Sequence, residues 1–179
     1  MNIFRTIALL CATTLPFIHS AHSQNGKTWT EEVDGVRIEI AEVVTGVDRP
    51  WGLAFLPDGS GRALVTERDG AVRSVDVKSG RVSAPLSGVP KVYARGQGGL
   101  LDIALSPNFS QDRAVFLSFS EPHPEGARTA VFRATLEGEA LKNGSVIFRQ
   151  SEGVDNGYHF GSRLVFGRDG VLYVTTGDR

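Results

Sequence analysis

The chain has 179 residues, 41% of them hydrophobic and 22% charged, with a formal net charge of −1. That balance offers no basic field for nucleic acid or an anionic membrane and excludes a partner of that kind. A single cysteine, Cys11, excludes a disulfide framework, so stability rests on packing.

In chain order, the first 23 residues read as an export signal: Arg5 is the charged region, Ile7 to Ile18 is an apolar run, and Ala21-His-Ser23 is a small-x-small cleavage site. The apolar run falls short of the roughly 20 residues of a membrane-spanning helix. No second run follows, so no membrane span is expected and the mature chain, 24–179, is periplasmic or secreted. Lipidation at Cys11 is disfavoured because Leu9-Leu10 precede it and the apolar stretch continues past it. Losing Arg5 with the leader moves the charge balance from 19 against 20 to 18 against 20, a net −2.

Gln24 to Glu32 is polar and is expected to be a flexible start. Val36 to Val44 alternates apolar and charged residues as a half-buried strand does. Short strands then recur at Gly52–Leu56, Ala63–Thr66 and Val72–Asp76, separated by the turns Pro57-Asp-Gly59 and Arg68-Asp-Gly70. Twenty-one glycines and eight prolines punctuate the chain, and no sustained 3.6-residue periodicity follows the leader. The fold class is therefore all-β.

Gly52-Leu-Ala-Phe-Leu-Pro-Asp-Gly59, Leu101-Asp-Ile-Ala-Leu-Ser-Pro-Asn108 and Arg163-Leu-Val-Phe-Gly-Arg-Asp-Gly170 form a weak repeat of strand, turn and strand. Their spacing of roughly 50–60 residues suits propeller blades, small sheets that bury their faces only against one another. A β-sandwich is the structural alternative. At about 40–50 residues per blade the span 24–179 holds about three blades, fewer than the about four to eight that close a ring. The chain is accordingly expected to be the N-terminal part of a longer propeller.

Two regions can carry chemistry. Ala94-Arg-Gly-Gln-Gly-Gly99 is a loop entering the strand Leu100–Leu105; at a propeller's mouth the Gln97 amide can both donate and accept hydrogen bonds without net charge, and a glycine-rich turn with an incidental glutamine is the alternative. In Gly157 to Asp178, Leu164–Phe166 and Val171–Thr176 flank the turn Gly167-Arg-Asp-Gly170. A two-strand hairpin returns to the edge it left, so His159 and Asp178 can meet as a base and its orienting carboxylate. On spacing alone, a loop histidine beside an ordinary Gly-Asp turn remains open. His123, in Glu121-Pro-His-Pro-Glu125, is expected in an exposed loop. Neither a Cys/His cluster for zinc, nor an EF-hand loop, nor the Lys-Ser/Thr of a phosphate loop is present.

Gly96-Gln-Gly-Gly-Leu-Leu-Asp102, His159-Phe-Gly-Ser-Arg-Leu164 and Thr176-Gly-Asp178, in that order, resemble the pyrroloquinoline quinone (PQQ)-dependent sugar dehydrogenases of the soluble aldose or glucose/sorbosone type. The resemblance runs from about Arg49 to the last residue. It implies a six-bladed propeller, of which this chain holds the first half. It also implies His159 as catalytic base, Asp178 as its acidic partner, and Gln97 as a contact to substrate or cofactor. PQQ and calcium are the implied cofactors, with the calcium ligands beyond Arg179 and no metal residue here. The implied partners are an aldose sugar and an external electron acceptor. Some glucose-specific relatives carry aspartate before the base. Here Tyr158 stands there, able to stack on a sugar or quinone ring, which suits a broader aldose preference. Arg179 is expected to be surface charge or a channel cation. The alternatives are a non-catalytic propeller that binds a glycan or protein, and a propeller hydrolase such as a metal-dependent lactonase.

Overall fold

The computed structural model describes residues 26–178. The expected leader (1–23) and Arg179 lie outside the described residues.

The strands are β1 (Thr28–Val33), β2 (Val36–Ala41), β3 (Pro50–Phe55), β4 (Arg62–Glu67), β5 (Ala71–Asp76), β6 (Arg81–Val82), β7 (Leu100–Leu105), β8 (Ala114–His123), β9 (Gly126–Glu137), β10 (Ala140–Arg149), β11 (Gly161–Phe166) and β12 (Leu172–Thr176). One short helix, α1 (Phe109–Asp112), precedes β8. They form two four-stranded antiparallel sheets, β3-β4-β5-β6 and β7-β8-β9-β10, and two hairpins, β1-β2 and β11-β12. In three of the sheets the first strand lies innermost, and β7 packs between β3 and β11. That radial order is a β-propeller: two complete blades and the inner half of a third. The three repeat copies in the sequence are these three inner strands with their following turns.

Burial explains the arrangement. Leu56, Leu64, Val72 and Leu86 of the first blade pack with Leu100, Ile103, Val115, Leu117, Phe132 and Leu136 of the second in one core. Between the second and third, Phe116 meets Phe166 edge-on at 5.2 Å, with Leu164, Leu172 and Val174 around them. The outward faces are bare: Leu53 and Phe55 of β3 are 55% and 63% exposed, and the facing pair Val165 and Tyr173 is 51% and 55% exposed.

A hydrogen-bond relay repeats from blade to blade. Each inner strand carries a bulge, at Pro50/Leu53, Leu100/Ile103 and Gly161/Leu164, and a hydroxyl on the second strand receives the bulge N–H of its own blade. Gly52 N donates to Thr66 Oγ1 (2.8 Å), Asp102 N to Ser118 Oγ (2.9 Å) and Arg163 N to Thr175 Oγ1 (3.0 Å). The same hydroxyl then donates to the bulge carbonyl of the next blade: Thr66 to Leu101 O and Ser118 to Ser162 O, both at 2.6 Å. Bulges leave ladder groups unpaired, and this relay satisfies them, at the two inter-blade junctions through the fully buried hydroxyls of Thr66 and Ser118.

The start of the chain departs from the sequence reading. Thr28–Val33 is a strand rather than a flexible tail, because Asp34-Gly35, both at positive φ (50° and 75°), makes a two-residue hairpin turn. Val36–Ala41 is exposed rather than half-buried, since no second layer covers this hairpin among the described residues. His123 closes β8 opposite Gly126 instead of lying in a loop. It is half-buried, and its Nδ1 accepts from the Glu125 N–H at 3.2 Å.

Candidate active site

The site lies at the head of β11, where the backbone is forced into an unusual path. His159 (φ 58°), Gly161 (φ 67°) and Ser162 (φ 93°) all have positive φ. For the two non-glycine residues such conformations cost of order 1–3 kcal/mol each and persist only where the surroundings impose them. Here the second blade imposes them. Thr129 Oγ1 donates to Phe160 O (2.8 Å) and Ser118 Oγ to Ser162 O, while the Phe160 ring is buried against Leu101, Ala127 and Tyr93. Phe160 thus anchors the turn in the core and leaves its neighbour His159 at the surface.

At the other end of the hairpin, Gly161 pairs with Thr176, and Gly177 packs against the His159 carbonyl so closely that no side chain fits there. Asp178 follows. His159 Nδ1 lies 2.8 Å from Asp178 Oδ1, with the two side chains 63% and 86% exposed. A carboxylate accepts only, so Nδ1 carries the proton and Nε2 the lone pair. No protein group engages Nε2 among the described residues. The hairpin therefore brings together the two residues singled out in the sequence and leaves a free imidazole acceptor.

Gln97 is the third member. Its Oε1 accepts the His159 N–H at 2.9 Å, and its own N–H donates to Gly157 O at 2.6 Å. Tyr158 is 57% exposed beside the base, its N–H held by Asn156 Oδ1 at 3.1 Å. Among the described residues no group of three or more His, Cys, Asp or Glu side chains gathers in a way that could hold a metal ion.

Sequence reasoning missed Asp102. This buried carboxylate accepts from Leu164 N (2.7 Å) and from Arg163 Nη1 (3.1 and 3.2 Å to its two oxygens), and the Arg163 guanidinium stacks 5.5 Å from the Trp51 ring. One side chain from each inner strand thus meets beside the relay. Gly52 makes the approach possible, as a Cβ there would lie 3.1 Å from Asp102 Oδ1. The repeat gave no signal for this carboxylate, because its second copy as read in the sequence starts at Leu101 and sets that residue, not Asp102, against Gly52 and Arg163.

Radial blades with a histidine–carboxylate pair at the head of an inner strand define a β-propeller protein with a candidate site at that strand's head. The family model described as "Glucose / Sorbosone dehydrogenase" matches residues 47–179. The chain belongs to that family. It is 47% identical over 135 residues to the aldose sugar dehydrogenase YliI of Escherichia coli K12, covering 74% of this chain and 36% of that one. A crystal structure of glucose dehydrogenase superposes with a TM-score of 0.71 at 45% identity, over 75% of this chain and 39% of that one. The PQQ-bound aldose sugar dehydrogenase of Streptomyces coelicolor superposes with a TM-score of 0.62 at 35% identity, over 86% and 42%. The chain thus spans less than half the length of these relatives.

Proposed function

We propose that the full-length protein is an exported quinoprotein that oxidises the anomeric carbon of aldose sugars, with His159 as general base. The observation that carries this reading is the 2.8 Å His159–Asp178 pair with Nε2 unengaged at the mouth. Nε2 takes the proton of the anomeric hydroxyl while hydride leaves the same carbon, so the C–O bond becomes a carbonyl and the sugar a lactone. Asp178 holds the proton on Nδ1, fixes the ring and stabilises the imidazolium that forms.

The residues at this mouth fit a planar quinone: Tyr158 offers a ring face beside the base and the Gln97 side-chain NH2 a donor to a quinone oxygen. PQQ, when bound, supplies the two-electron acceptor. Calcium, an external electron acceptor and a broad aldose preference through Tyr158 complete the proposal. Among the described residues no helix is long and apolar enough to cross a membrane. Export rests on the leader-like first 23 residues.

The test is dye reduction by the full-length protein reconstituted with PQQ and calcium, using a panel of aldoses. His159→Ala should lower kcat by about 10²- to 10⁴-fold while PQQ still binds, and Asp178→Asn should slow the same step by less. Near-normal turnover in His159→Ala with PQQ bound would remove the assigned base. Protein recovered from the periplasm or medium should begin near Gln24, and soluble protein retaining Met1 would argue against export.

A further inference from the structure

Gln97 sits in a loop with almost no freedom. A Cβ on Gly96 would strike the Gly157 carbonyl, and one on Gly98 would lie 2.7 Å from Tyr93 O and 2.9 Å from both the Phe160 ring and Ser120 Oγ. A Cβ on Gly99 would strike the Arg68 carbonyl. Arg68 Nη1 also donates to Gly96 O at 2.7 Å, and Ser120 Oγ receives the Gly99 N–H at 2.6 Å. Three glycines therefore let this loop thread between the first blade and the 157–160 turn. Threading fixes where the Gln97 side chain begins, and the side chain ends on the backbone of His159.

We propose that Gln97 is a positioning residue for His159: its Oε1, by holding the His159 N–H, keeps the base in its left-handed conformation with Nδ1 facing Asp178. Nothing else among the described residues engages that N–H. Phe160 anchors the following residue through its ring and carbonyl, so losing Gln97 removes the side-chain contact that fixes the His159 N–H. A shift there moves the imidazole relative to a carboxylate that is itself 86% exposed and has no other side-chain partner among the described residues. The remaining Gln97 NH2 stays available to a ligand, so substrate contact and positioning use different atoms of one amide. This inference rests on His159 being the base.

Two substitutions in the full-length protein separate the roles. Gln97→Met keeps length but has no acceptor for the N–H, whereas Gln97→Glu keeps the acceptor and lacks the amide donors. Positioning predicts that Gln97→Met lowers kcat on the order of 10- to 100-fold at saturating aldose, with a smaller change in KM, because small misplacements of a reacting group have effects of that size. Gln97→Glu should turn over faster than Gln97→Met, falling short of wild type by what the lost amide donors contribute to sugar or quinone. Backbone amide exchange at His159, measured without sugar or cofactor, should speed up in Gln97→Met and return towards wild type in Gln97→Glu. If kcat is unchanged in Gln97→Met and only KM rises, or if His159 exchange stays at the wild-type rate, the positioning role is overturned. If the wild-type protein oxidises no aldose yet His159 exchange follows this pattern, positioning stands and the sugar-dehydrogenase reading falls.

Discussion

Ser118→Ala tests the blade-to-blade relay at its most consequential link. The substitution is almost without steric effect, yet it removes a fully buried hydroxyl that accepts from Asp102 N at 2.9 Å and donates to Ser162 O at 2.6 Å. Two backbone groups are left without a partner in a site closed to water. An orphaned buried polar group costs about 1–3 kcal/mol, so the pair predicts a loss of about 2–6 kcal/mol, a large share of a typical stability of about 5–15 kcal/mol. At a urea slope of ~2–3 kcal/mol per molar, the unfolding midpoint of the full-length protein should fall by about 1 M or more. Thr66→Val, which removes the matching hydroxyl between the first two blades, should lose a similar amount. Ser118→Ala should in addition slow turnover, since Ser162 lies three residues beyond His159, whereas Thr66→Val acts one blade away. A loss below about 0.5 kcal/mol in Ser118→Ala would show that water or a backbone shift satisfies both groups, and the relay would not be what joins the blades.

Gly98→Ala should destabilise the full-length protein by about 1–3 kcal/mol and lower kcat, because its Cβ presses on the Phe160 ring that anchors the base; wild-type values of both would refute the tight threading of the loop. At the β5–β6 turn, hydrogen bonds from the Ser79 backbone and hydroxyl, with the Lys78 backbone, hold the Asp76 carboxyl below its ordinary pKa of 3.8. A carboxyl depressed in the folded state stabilises it above the ordinary value and loses that contribution as pH falls through the folded one. The midpoint difference between wild type and Asp76→Asn should therefore shrink below about pH 4, and a difference unchanged at pH 3 would rule the effect out. A polypeptide of residues 24–179 should self-associate through its bare β3 and β12 faces and bind PQQ weakly. A monomer with sub-micromolar PQQ affinity and sugar-dependent dye reduction would contradict that.

Much of this protein follows from local rules. Glycine-rich turns between short alternating runs specify an all-β chain, because φ > 0 and period-2 burial are properties of neighbouring residues. The repeat marks the inner strand of each blade, since each blade repeats the same burial problem against the next. The meeting of His159 and Asp178 is equally local: a two-strand hairpin returns to its own starting edge, whatever lies around it. Even the first hairpin was written in Asp34-Gly35, although the polar composition of Gln24 to Glu32 obscured it. What only the tertiary structure decided are pairings across blades. Asp102 looks like an ordinary strand residue until β11 places the Leu164 N–H and the Arg163 guanidinium against its carboxylate, 62 and 61 residues along the chain. Gln97 reads in sequence as a free amide at a mouth, but its oxygen is taken by the His159 backbone, 62 residues away. Spacing along a chain carries no information about such contacts, because blade packing sets them. The geometry of the base depends on them because a strained turn is held only by what surrounds it.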